Sequence, residues 1–171
     1  MGNEDLLRRH AAGAGGRAAR SAAGAPGRPT LRTVVVTCMD ARIDVYTLFG
    51  LAPGEAHVLR NAGGIVTDDV VRSIAISQRK LGTTDVLLVH HSGCGMATFT
   101  DEEFSDELAA ETGTRPPWRP GAFRDAADDV RRGVARLRGE PFLRDGTPIR
   151  GFVVDITTFA LEEISPAVEA G

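Results

Sequence analysis

Four short runs rich in β-branched and aliphatic residues punctuate the chain, at 31–38 (LRTVVVTC), 55–61 (EAHVLRN), 84–90 (TDVLLVH) and 149–156 (IRGFVVDI). Runs of this length with little charge at their centres suit strands buried on both faces. Helix signals lie between them. Thr67 stands before Asp68 and Asp69, an N-cap with acids in the first turn. Val70, Val71, Ile74 and Ile76 follow, and Gly82 lies beyond the end. Thr100 and Glu103 have capping-box spacing. Residues 122–138 read as a further helix, with Val130, Val134 and Leu137 on one face and Gly139 as its stop. Strands alternating with helices predict an α/β domain around a mostly parallel central sheet flanked by helices. In such sheets ligands bind beyond the C-terminal ends of the strands.

The 171 residues fit one core. Residues 11–28 hold eight Ala and five Gly, which bury little and lose much backbone entropy on ordering. Residues 1–29 are therefore read as a partly flexible arm, with a short helix through Leu6 and Leu7, and 30–171 as a single folded domain. The net charge of −3 argues against nucleic-acid binding. No apolar run approaches the roughly 20 residues of a spanning helix or the h-region of a signal peptide. The expectation is a cytoplasmic protein with no membrane partner. Residues 101–111 carry six acids and no base and read as a solvated helix face, and Trp118 as packing over the edge of the core.

The two cysteines, Cys38 and Cys94, fall at predicted strand ends. Cys38 closes the first strand, and the third runs into His90, His91, Ser92, Gly93 and Cys94. If those strands are neighbours, both thiols and one imidazole converge at one sheet edge. Two thiolates and an imidazole form a zinc ligand set with an open fourth position. His91 and Cys94 are three apart, and Gly93 and Gly95 permit a tight turn between them. His90 points to the opposite side of an extended chain and reads as a packed or hydrogen-bonded neighbour. Two other readings stay open: buried cysteines acting as small hydrophobes, and a Cys38/Cys94 redox pair.

Asp40 and Arg42 share a side of the extended stretch after Cys38. A carboxylate held by a guanidinium stays ionised and fixed in direction. Beside a metal it would accept a hydrogen bond from a bound water; elsewhere it is a surface ion pair worth little. The RNAGG stretch, 60–64, is either a turn or a place where backbone N–H groups meet a small anion or substrate, with Asn61, Ala62 and Gly63 as candidate contacts. It lacks the full dinucleotide fingerprint, and the chain lacks a P-loop lysine.

CMDARID (38–44), RNAGG (60–64) and HHSGCGM (90–96), in this order and spacing, resemble the β-class carbonic anhydrases, most closely their short bacterial members. The similarity continues through TDDVVRSIAISQRKLGT, FTDEEF and GFVVDI. The resemblance implies one zinc per chain held by Cys38, His91 and Cys94, with Asp40 and Arg42 as a catalytic dyad beside it. It implies reversible hydration of carbon dioxide to bicarbonate and a proton by a zinc-bound hydroxide. It also implies strand order 2-1-3-4 with a possible short edge strand, and a homodimer or homotetramer with its active site at the subunit interface. Asp40 is a conditional fourth ligand in a closed form of such a site. Hydrolases of carbon disulfide or carbonyl sulfide share the scaffold, and a non-catalytic zinc-binding relative is a further alternative. The chain departs from the family in its Ala/Gly-rich arm. It departs again at residues 157–161 (TTFAL), where no glycine stands before the last strand, so the turn into an edge hairpin must change type.

Overall fold

The structure is a computed structural model that describes residues 7–9, 11 and 25–165. Residues 7–9 and 11 are helical, in keeping with a short helix through Leu7; Leu6 and most of the Ala/Gly-rich stretch lie outside the described residues. Five strands form one sheet: β1 (Thr33–Cys38), β2 (Ala56–Asn61), β3 (Asp85–His91), β4 (Ile149–Val154) and β5 (Leu161–Glu163). Their order is β2-β1-β3-β4-β5, parallel except for the antiparallel β4–β5 pair. Four helices accompany them: α1 (Val45–Phe49), α2 (Asp68–Lys80), α3 (Asp101–Thr112) and α4 (Ala126–Arg138).

Period-two alternation divides the strand side chains between two cores. Val34, Val36, Val86 and Leu88 face α2 and α4, where Val70, Ile74, Val130, Val134 and Leu137 meet them. Val35 and Val89 face the other way, toward Ile43, Val45, Leu51, Met96 and Phe123. Both cysteines belong to this second core. Each fully buried Leu or Ile contributes about 1.5–3 kcal/mol of burial free energy. The α4 helix lies so close to the sheet that a Cβ on Gly151 would come within 2.3 Å of Val130 Cγ1.

Local signals hold at most boundaries. Thr67 caps α2 by accepting from the Val70 N–H, and Thr100 and Glu103 complete the capping box of α3. The acids of α3 are mostly exposed, as a solvated face requires. The helix expected over 122–138 begins only at Ala126. Residues 122 and 123 spend their N–H groups elsewhere, on Asp101 Oδ1 and on the Met96 carbonyl, and Asp125 supplies the cap. The third strand runs one residue further than expected, to His91, and the fourth stops at Val154. Trp118 does not cover the core edge: it is 56% exposed and lies against Phe104 of α3.

The edge hairpin forms despite the missing glycine. Asp155 Oδ1 accepts from the N–H groups of Thr157 and Thr158, and Phe159 takes the left-handed conformation, φ 59°. That conformation costs an L-residue about 1–2 kcal/mol, against a glycine entropy cost of roughly 0.5–1 kcal/mol. Phe159→Gly is therefore expected to raise unfolding free energy by about 0.5–1 kcal/mol. Urea denaturation checks this, and a loss of stability would show that contacts of the Phe159 ring outweigh the strain.

Candidate metal centre

The sheet order places β1 beside β3, so Cys38 at the end of one and His91 at the end of the other share an edge. Beyond His91 the chain turns through Gly93, left-handed at φ 61°, and returns Cys94 to the same place; Gly95 then opens a 3-10 turn. The ligand atoms of Cys38, His91 and Cys94 all lie within 4.8 Å of one another, and all three residues are buried. The thiols are free, with Sγ atoms 3.9 Å apart. Two sulfurs about 2.3 Å from one tetrahedral zinc stand about 3.8 Å apart, so the spacing fits that metal.

The imidazole is oriented for the same task. His91 Nδ1 donates to the Ser92 carbonyl at 2.9 Å, which leaves Nε2 as the lone-pair nitrogen. Nε2 is buried with no hydrogen-bond partner. A buried acceptor left unpaired costs free energy, and a cation held between it and the two sulfurs would satisfy it. His90 takes the opposite face as expected. It is fully buried, and its Nε2 donates to Asp129 Oδ2 of α4 at 2.9 Å.

Electrostatics favour a cation here. The hydrogen bond between the two sulfurs pushes the Cys38 pKa down, helped by His91 and by the N–H groups of Asp40 and Gly63; burial opposes the shift. Cys94 is pushed up in turn, by its hydrogen bond to the Cys38 thiolate and by burial. Opposite shifts on the two sulfurs favour a thiolate on one hydrogen-bonded by the thiol of the other. Proximity to Cys38 also pushes the His91 pKa up, against the effect of burial.

Asp40 and Arg42 pair beside this group. Arg42 Nε donates to Asp40 Oδ1 at 2.9 Å and Nη2 to Oδ2 at 2.6 Å, while the Arg42 N–H donates to Oδ1 at 2.9 Å. These bonds hold the carboxyl well below the usual carboxylate range. Arg42 Nη2 also reaches the Gly93 carbonyl at 3.0 Å, which ties the pair to the turn between His91 and Cys94. Asp40 Oδ2 lies 3.8 Å from His91 Nε2, close to the donor cluster but not one of its three members. Asn61 is the ladder partner of Cys38, and its Nδ2 donates to the Ile65 carbonyl at 2.9 Å. Ala62 and Gly63 form a 3-10 turn against Cys38. The carbonyls of Ser92 and Gly93 are part of the site, and nothing in the sequence marks a carbonyl for such a role.

The family model for carbonic anhydrases matches residues 33–118, a span that holds all three donors and the dyad. The chain is 51% identical over 141 residues to β-carbonic anhydrase 1 of Mycobacterium tuberculosis, covering 82% of this chain and 86% of that protein. It is 32% identical over 158 residues to a carbon disulfide hydrolase of an Acidianus species, with 77% and 76% covered. Among solved structures, a carbonic anhydrase from Streptococcus mutans superposes with a TM-score of 0.82 at 36% identity, over 95% of this chain and 96% of that one. The order and spacing of the motifs, the sheet topology and these similarities agree: the chain belongs to the β-carbonic anhydrase family.

Proposed function

We propose that this protein catalyses the reversible hydration of carbon dioxide to bicarbonate and a proton, with one zinc per chain on Cys38, His91 and Cys94. The observation that carries the reading is a buried S, N, S donor set with an unpaired imidazole nitrogen, set beside an ion-paired carboxylate. When bound, zinc supplies Lewis acidity toward a water molecule. Two thiolates offset the charge of the metal, so more depends on the protein's own groups. Asp40 is an ionised acceptor that orients the attacking oxygen by taking its hydrogen bond. Arg42 holds both Asp40 oxygens and keeps the carboxylate from swinging in as a fourth ligand. Leaving Arg42 would convert Asp40 into that ligand and close the site. Asn61, with a buried and unpartnered Oδ1, lies with Ala62 and Gly63 on the side of Cys38 where the proposal puts substrate contacts.

Stopped-flow hydration on protein of known zinc content tests the reading. Arg42 keeps the Asp40 carboxyl ionised throughout the window from pH 6.5 to 9. Zinc on the three donors would lower the pKa of water toward neutrality, so turnover is expected to rise from pH 7 to pH 8.5. A flat profile counts against this assignment. Absence of carbon dioxide turnover with hydrolysis of carbon disulfide would move the substrate to the sulfur analogue, the activity named for the Acidianus relative.

The proposal includes a homodimer or homotetramer in the cytoplasm. Among the described residues no helix is long and apolar enough to cross a membrane. Met39, between a ligand and the dyad, is 65% exposed, an apolar side chain placed where a second subunit would cover it. Light scattering is expected to give at least twice the chain mass of 18.1 kDa, and a monomer would remove this part of the reading.

A further inference from the structure

β1 leaves the sheet at Cys38, and the next residues carry two jobs at once: Cys38 offers a metal ligand and Asp40 the dyad carboxylate. Past the end of a ladder, backbone carbonyls have no strand partner and must be satisfied by other means. Arg60 of β2 provides it. Its Nε donates to the Cys38 carbonyl at 2.9 Å and its Nη2 to the Asp40 carbonyl at 2.7 Å. The rest of the RNAGG stretch closes on the same segment. The Asn61 carbonyl accepts from the Met39 N–H at 2.8 Å. Gly64 makes the approach possible: at φ +70° its position faces Cys38 N, and a Cβ there would lie 2.7 Å from that nitrogen and 2.8 Å from the Thr37 carbonyl carbon.

We propose that Arg60 is a positioning residue for the metal centre. Its planar guanidinium bridges two carbonyls two residues apart and so fixes the Cys38 sulfur relative to the Asp40 carboxylate. A lysine, with a single ammonium on a flexible stem, cannot hold both carbonyls in one plane. The inference rests on Cys38, His91 and Cys94 binding a metal, and not on which substrate the site turns over.

The test uses the full-length zinc protein and three variants: Arg60→Met, Arg60→Lys and Arg150→Met. Arg150 is the control, because it makes an equally complete pair with Glu163 on the far edge of the sheet. Two quantities are read: the rate of zinc transfer to a chromophoric chelator, and the visible spectrum of the cobalt(II)-substituted protein. Circular dichroism monitors the fold. Loss of outer contacts to metal ligands typically costs 10–100-fold in affinity. Arg60→Met is expected to release zinc at least about tenfold faster and to shift the cobalt spectrum. Arg60→Lys should fall between it and the unaltered protein, and Arg150→Met should leave both readouts unchanged. Unaltered zinc release and cobalt spectrum in Arg60→Met would overturn the proposal, even if its melting temperature fell. If Arg60→Met does not fold, Arg60→Lys decides on the same two readouts. Neither involves carbon dioxide, so faster zinc release in a protein without hydration activity would sink the proposed reaction and leave Arg60 in its role. The reverse result would do the opposite.

Discussion

Asp40→Asn is expected to lower kcat for carbon dioxide hydration by at least about a hundredfold, with zinc content unchanged at one per chain. A positioned proton acceptor contributes typically 10²–10⁴-fold to a rate. The amide keeps the shape of the carboxylate and loses its charge and one acceptor oxygen. Arg42 now donates to two Asp40 oxygens and to the Gly93 carbonyl. Against an asparagine it can keep one oxygen only, and the NH₂ group would face either the guanidinium or the attacking oxygen, where a donor is wrong. The metal stays because Asp40 is not one of the three clustered donors. The fold stays because the pair is partly exposed, with side-chain exposures of 17% for Asp40 and 55% for Arg42. Such pairs contribute about 0–1 kcal/mol. Metal analysis beside stopped-flow kinetics separates the two effects, and full turnover in Asp40→Asn would remove the role assigned to the carboxylate.

What the sequence disclosed about this site follows from how local each interaction is. The VVV core of β1 and the Thr67 and Thr100 caps depend on neighbours within four residues, and they stand where the pattern puts them. Alternation along β3 likewise assigns His91 to the cysteine face and His90 to the α4 face, and Asp129 meets His90 there. The meeting of Cys38 with His91 is different in kind. It requires β1 and β3 to be neighbours, and no periodicity within either strand states its partner; the family resemblance supplied that order. The five residues of α1 are too few to show a helical period, although Asp44 before them and the left-handed Gly50 after them are cap signals. The late start of α4 is also non-local, because Ala122 and Phe123 are drawn off by Asp101 and Met96, residues more than twenty positions away. Arg60 is the clearest case. A long side chain reaching back 20 and 22 residues to carbonyl oxygens leaves no trace in residue types at the receiving end.

Cys38→Ser is expected to weaken zinc binding by at least on the order of a hundredfold, and turnover should fall in proportion to the zinc lost. Zinc sites of this donor type are worth about 10–16 kcal/mol over four ligands, or about 3 kcal/mol each, and 1.4 kcal/mol is a factor of ten. The two sulfurs lie within hydrogen-bond reach of each other, and replacing Cys38 takes away one of the two thiolates that would face the metal. The Cys94 sulfur, His91 and two backbone N–H groups all push the Cys38 pKa down. A serine hydroxyl in that setting stays protonated at any pH the protein survives. Removing the Cys38 charge also removes the chief cause of the raised pKa of Cys94, so the remaining thiol ionises more readily and recovers part of the affinity. The pH dependence distinguishes this from simple loss of a ligand. In the unaltered protein zinc must displace the proton that the thiol pair holds and any proton on His91, whose pKa is raised, so affinity falls with falling pH. With one thiol fewer to deprotonate, the fall at acid pH should be shallower in Cys38→Ser. Because Cys38 is only 4% exposed, a serine there costs stability as well. Melting of the metal-free forms therefore has to accompany the zinc titration. Unchanged zinc affinity in a folded Cys38→Ser protein would mean that the sulfur is no ligand and that the 3.9 Å spacing of the thiols reflects packing alone.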